Sequence, residues 1–254
     1  METLFIGKNL LFLHEVESTN TYAMNMLRNV NAIEGTVIYT DNQTKGKGQR
    51  GALWSSNIAQ NVTASVILKP HFLSIGNTFY LSKISALAVY DVLAEILSSS
   101  QYDIKIKWPN DILVNKQKIA GILIENNFTS TAVQSSVVGI GLNVNQVDFD
   151  NFERMANSIK LVSGVSYNRD EILELLCKML EKWYLKLKEG KTELIDKCYH
   201  DHLYEVNKIA VFVDVNHYKF NGRIKSVTKA GKLLLELEED ILKEFEVKEV
   251  KFLS

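Results

Sequence analysis

Five short segments of this 254-residue chain carry residue types and spacings that could do chemistry. Lys107-Trp108-Pro109-Asn110-Asp111 places one of the chain's two prolines between a tryptophan and an Asn-Asp pair. Proline fixes its own φ and restricts the residue before it, so the indole reads as a rigid wall and the two polar side chains as aimed. Lys118 follows closely and opens a stretch that is apolar through Ile124. A lysine set beside a phosphate and a carboxylate stabilises charge developing at phosphorus without a covalent bond. A lysine at a strand edge also discourages aggregation, and residue types alone leave both readings open.

Gln43-Thr44-Lys45-Gly46-Lys47-Gly48-Gln49-Arg50-Gly51 leads to Trp54. Its glycines satisfy the spacing of a dinucleotide-binding turn, but that turn needs a helix starting at the glycines and an acidic residue on the next strand. Three cations interleave with the glycines instead, and Trp54-Ser55-Ser56-Asn57 does not continue a helix. Exposed backbone N–H groups among cations suit a phosphate or acyl phosphate, and a solvated basic loop is the plainer alternative. Glu17-Ser18-Thr19-Asn20 offers hydroxyls either to the polar head of a small ligand or simply to a helix start. Val138-Gly139-Ile140-Gly141-Leu142-Asn143 sets two glycines in a strand, which implies a bulge or a close approach by another group. Asn143 at its end can reach a ligand or close a turn.

These segments need elements to position them. The pattern predicts a helix over residues 19–29 behind Ser18, strands at 36–40 and 61–68, and a long helix whose face carries Leu81, Ile84, Ala88, Val92 and Ile96. Strands follow at 112–114, 118–125 and 136–143. Asn168 and Glu171 suggest a capping box for a helix with Ile172, Leu176, Met179, Trp183 and Leu187 on one face. After about residue 205 the character changes to short strands at 209–213, 217–224, 232–237 and 245–252, with turns expected at Asn221-Gly222 and Ala230-Gly231. The expected organisation is a larger α/β part over 1–205 and a small β-barrel over 206–254 packed against it.

Composition narrows the class further. The formal net charge is −1, so no global basic field draws the protein to nucleic acid. Two cysteines, Cys177 and Cys198, make neither a disulfide framework nor a metal cluster. No signal segment or membrane-length apolar run is present, which points to a cytoplasmic protein.

In order along the chain, these motifs resemble those of biotin protein ligases. The resemblance rests on Ser18-Thr19-Asn20, Gln43, the Gly46–Gly51 loop with Trp54, Lys107 to Asp111, Lys118-Ile119-Ala120-Gly121 and Gly139 to Asn143. It implies an α/β (α+β) fold like class II aminoacyl-tRNA synthetases, a mixed sheet with helices on one side, and a C-terminal SH3-like barrel. It implies an enzyme that joins biotin to ATP as biotinyl-5′-adenylate and passes the acyl group to a lysine of a biotin carboxyl carrier domain. Mg²⁺ would accompany ATP, held by phosphates and water with no dedicated protein cage. Lipoate or octanoyl transfer on the same fold, and a binding module without turnover, are the alternatives.

Carried over residue by residue, Ser18, Thr19 and Gln43 would hold the ureido ring, with Asn20, Trp54 and Gly121 also on the biotin side. Lys118 would bridge the biotin carboxylate and the α-phosphate. Lys47, Gly48, Gln49 and Arg50 would close over the ligand, Lys47 and Arg50 also serving the nucleotide. Trp108, Asn110, Asp111 and Asn143 would line the nucleotide side, and Asp111 would orient the acceptor lysine. Lys118, Asp111 and Arg50 are the expected catalytic residues. One departure stands out: the family loop often reads Gly-Arg-Gly-Arg-Arg-Gly, and Gln49 stands here in place of an arginine that helps retain the adenylate. Few residues precede Ser18, so no specific DNA binding is expected; a monomer and a homodimer are both compatible.

Overall fold

The computed structural model describes residues 2–29, 32–97, 101–149 and 156–253. Strand β1 (Leu10–Val16) pairs in parallel with β2 (Val37–Gln43), and helix α1 (Thr19–Asn29) connects them. Next come β3 (Val62–Leu68), α2 (Phe79–Ile96), β4 (Ile104–Lys107), β5 (Asp111–Val114), β6 (Gln117–Phe128) and β7 (Val133–Leu142). They form a seven-stranded mixed sheet in the order β1-β2-β3-β7-β6-β5-β4. Every pair except β1–β2 is antiparallel. The β5–β6 turn is made by Asn115 and Lys116, both at positive φ, as a tight hairpin with right-handed twist requires.

Helices α3 (Ile159–Ser163), α4 (Arg169–Lys188) and α5 (Thr192–Asp201) follow. Asn168 caps α4 by accepting the Asp170 N–H at 2.9 Å, and the long apolar stripe of α4 packs on α2. Alternation along β3 decides which face each helix covers. Val62, Ala64, Val66 and Leu68 point into the large core with α2 and α4, whereas Ile67 joins Ala23 of α1 on the other side. Helices therefore cover both faces, where the resemblance led us to expect one. The candidate site lies on the α1 face.

The C-terminal strands are β8 (Ile209–Asp214), β9 (Lys219–Val227), β10 (Leu233–Glu236), β11 (Leu242–Phe245) and β12 (Val250–Leu253), an antiparallel sheet in the order β11-β10-β9-β8-β12. Two expectations change here. Asn221-Gly222 lies inside β9 rather than in a turn, because Gly222 lets the Phe212 and Leu237 side chains pass close over the strand. The single strand expected at 245–252 is the end of one strand and the start of another, broken by a turn at Lys248, where φ is +74°.

The expected turn at Ala230-Gly231 does form, and it joins the two sheets. Gly231 (φ +89°) lies against the Phe79 ring, where a Cβ would collide. Its carbonyl accepts the indole N–H of Trp108 at 2.8 Å. Nearby, the buried Lys83 ammonium pairs with Asp196 at 2.7 Å beside the rings of Tyr80 and Tyr199. Phe212, Leu233, Leu235, Phe245 and Val250 are continuous with the main core, so the small sheet is packed on the larger part.

Candidate active site

The floor of the site is a patch of sheet nearly bare of side chains. Register sets Gly121 of β6 beside Gly141 of β7, and Gly139 beside Ser65 of β3. A Cβ on Gly141 would run into the Trp54 indole, and one on Gly139 into the Asn20 amide. The sequence left open a bulge or a close approach; the register through both glycines is regular, so close approach is the reason. Trp54 lies across Gly121 and Gly141, and its indole N–H is buried without a hydrogen-bond partner among the described residues.

The loop of residues 46–54 closes on itself. Gly48 N–H donates to Ala52 O and Trp54 N–H to Gly46 O, around a short 3₁₀ turn at Gln49–Gly51. Gly51 takes φ +85°. No helix starts at these glycines, in keeping with the rejection of a dinucleotide turn. Lys47 is exposed, while Lys45 is drawn off to Glu17 at 2.6 Å and does not face the cavity. That lysine holds the Glu17 carboxyl below its usual range. The Arg50 side chain lies outside the described residues.

At one end of the cavity the start of α1 meets the end of β2. Thr19 N–H donates to Gln43 Oε1 at 2.8 Å, which turns Gln43 Nε2 away from Thr19. Gly46 gives that amide room. Ser18 is buried, and its Oγ is 3.5 Å from the Thr21 N–H, a weak cap at best. At the other end Lys118 pairs with Asp111 at 2.6 Å, both partly exposed, with the ammonium 5.7 Å from the Trp54 ring centre. Asn110 donates to Ile122 O, which aims its carboxamide oxygen elsewhere. Between these ends lies a cavity of about 240 Å³.

Of the sequence-predicted residues, Ser18, Thr19, Asn20, Gln43, Lys47, Gly48, Gln49, Trp54, Asn110, Asp111, Lys118 and Gly121 all line this cavity. Two do not. Trp108 is buried, bonded to Gly231, and borders a neighbouring cleft whose far wall includes Phe212, Lys251 and Phe252. Gln49 and Asp111 border both spaces. Asn143 is buried, donating its Nδ2 N–H to Asn157 O, while its Oδ1 has no partner among the described residues. Sequence reasoning missed Thr63, Ser65 and Glu125. Two hydroxyls at alternate positions of an otherwise apolar strand were the available signal for the first two.

A basic glycine loop, a bare glycine floor, a donor end and a lysine–carboxylate end suit an acid activated at phosphorus, and comparison with known proteins agrees. Residues 12–143 match the Biotin/lipoate A/B protein ligase family. The chain belongs to the biotin protein ligase family. It is 32% identical over 251 residues to the bifunctional ligase/repressor BirA of Bacillus subtilis, covering 96% of this chain and 74% of that one. It is 31% identical over 179 residues to the biotin–[acetyl-CoA-carboxylase] ligase of Paracoccus denitrificans, covering 69% of this chain and 72% of the relative. A solved structure of the Aquifex aeolicus biotin protein ligase, in complex with biotin and ATP, superposes with a TM-score of 0.79 at 27% identity, covering 97% and 99% of the two chains. Two features of this family member stand apart from its motifs: no helix among the described residues is long and apolar enough to cross a membrane, and no cluster of metal-ligating side chains is found there.

Proposed function

We propose that the chain activates biotin with ATP as biotinyl-5′-adenylate, releases pyrophosphate, and transfers the acyl group to a lysine of a biotin carboxyl carrier domain. The observation that carries this reading is the Lys118–Asp111 pair, 2.6 Å apart, at the end of the cavity opposite the Thr19–Gln43 bond. The relatives' biotin ligase activity and the Aquifex complex with biotin and ATP support it.

In the first step a carboxylate oxygen of biotin attacks the α-phosphorus, and the bond from that phosphorus to the pyrophosphate oxygen breaks. The acid is itself the nucleophile, so the protein supplies position and charge. Lys118 is suited to lie between the carboxylate and the α-phosphate, where negative charge builds as they close. In the second step the acceptor amine attacks the acyl carbon, AMP leaves, and Asp111 is placed to orient that amine. Lys47, Gly48, Gln49 and Arg50 form the lid side, which shields the mixed anhydride from water. Mg²⁺ would accompany ATP, held mainly by phosphates and water, in keeping with the lack of a metal-ligating cluster among the described residues, and it would offset triphosphate charge.

The test is ATP–pyrophosphate exchange with biotin, lipoate or octanoate offered separately. Exchange with biotin alone is expected, and Lys118→Met should lower it by about 10²-fold or more while biotin still binds. Exchange with lipoate or octanoate alone would move the substrate to the lipoyl branch of the fold. A folded protein that exchanges with none would be a binding module.

A further inference from the structure

We infer that Ser65, a side chain outside the cavity, sets the ligand preference of the site by fixing the direction of the Thr19 hydroxyl. The inference rests on the biotin reading above. Ser65 is fully buried in the middle of β3. Its Oγ lies 2.6 Å from Asn20 Oδ1 and 2.7 Å from Thr19 Oγ1. The protons in this chain can be assigned without seeing them. The Asn20 Nδ2 faces two acceptors, Glu125 Oε2 at 2.9 Å and Leu123 O at 3.2 Å. Turning the amide over would set its oxygen against both, so Oδ1 must face Ser65. Oδ1 has no proton to give, so the one Ser65 proton goes to it. Ser65 Oγ must then accept across the 2.7 Å contact, and the one Thr19 proton goes to Ser65 rather than to Gln43 Oε1, which Thr19 Oγ1 also meets, at the longer distance of 3.1 Å.

Two consequences reach the cavity. Thr19 Oγ1 has spent its proton behind the wall and offers the ligand only a lone pair. Gln43 Oε1 is held by the Thr19 N–H at 2.8 Å, so Gln43 offers its Nε2 protons. The end of the site is thereby an acceptor next to a donor. That pair complements a cyclic urea, whose N–H donates and whose C=O accepts. It does not complement a dithiolane or an alkyl end, which leaves both groups unpaired, and buried unpaired polar groups reject a ligand strongly. Ser65 and Glu125 lie behind the cavity wall and are positioning residues; Thr19 and Gln43, with Ser18 and Asn20 beside them, line the cavity itself.

The experiment is calorimetric binding of biotin and dethiobiotin, which shares the urea but lacks the sulfur ring, to the natural chain, Ser65→Ala, Thr19→Val and the double variant. Ser65→Ala is expected to weaken both ligands by the same factor, about tenfold, as the hydroxyl turns to Gln43 Oε1, its remaining acceptor, and its lone pair turns away from the ring. The KM for ATP should stay put. In the Thr19→Val background the Ser65 change should cost nothing further, because its effect runs through that hydroxyl. Unchanged affinity in Ser65→Ala, unequal losses for the two ligands, or fully additive losses in the double variant would each overturn the inference. If Ser65→Ala does not fold, Ser65→Cys keeps a weak donor in place, and an intermediate loss is then expected and an absent one refutes. A natural chain that binds neither urea would defeat the biotin reading itself, a result distinct from these.

Discussion

Gly141 and Trp54 approach so closely that no side chain larger than hydrogen fits between them. Gly141→Ala is therefore expected to push the indole off the sheet and loosen the site, weakening biotin binding by about tenfold. Tryptophan fluorescence reads this directly: Trp108 and Trp183 are buried, so a red shift reports Trp54 moving into water. Gln49 sits where the cavity meets the cleft under the C-terminal sheet. Its neutral amide cannot make the forked, charge-assisted contact of a guanidinium. Gln49→Arg should slow adenylate release by about tenfold in a single-turnover chase. Equal release rates would show that Lys47 or Arg50 already does this work.

The element that ties the chemistry to the rest of the fold is the β9–β10 turn. Through Gly231 it grips Trp108, three residues before Asp111, and through Val227 O it lies 3.4 Å from the Lys83 ammonium. The tryptophan expected as a wall of the site borders the adjoining cleft and also ties the two sheets together, just before Asn110 and Asp111 in the chain. Trp108→Phe keeps the packing but leaves the Gly231 carbonyl without its donor. A loss of about 1 kcal/mol, or about 3 °C in melting temperature, is expected. Adenylation should fall more than biotin affinity, because the displaced residues are Asn110 and Asp111. A variant that melts lower with unchanged kinetics would make Trp108 a purely structural residue. We propose the boundary between the two parts near residue 205, ahead of β8.

At the scale of the whole molecule one apolar core runs beneath both sheets, and α4 lies in it. Cys177 on α4 is buried, and burial, with Glu174 and Glu181 adding to it, pushes its thiol up to about 12. A thiol raised in this way stabilises the fold below its ordinary value of 9.0, and that contribution is lost as pH climbs toward 12. Alkylation at pH 8 should modify Cys198, which is half-buried, and spare Cys177 until the chain is denatured. Mass spectrometry of the native, alkylated protein checks this, and rapid labelling of Cys177 would mean that the core opens readily.

The amino-acid sequence alone determined most of the elements around the site and the segments that carry it, though β1, β4, α3 and α5 left no pattern that was read. Helix α1 begins at Thr19 behind its serine, β3 stops before Pro70, and the motif order carried the family, because periodicity, turn chemistry and motif spacing are local properties of the chain. Only the tertiary structure decided what those residues do to one another. Strand register brought Gly121 beside Gly141 and Ser65 beside Gly139, and a shift of one residue would have turned those side chains to the opposite face. Packing of the C-terminal sheet drew Trp108 away from the cavity. The direction of the Thr19 proton depends on Glu125 and Leu123, more than a hundred positions away. Hydrogen-bond direction is a property of a closed network in space, and no pattern along the chain encodes it.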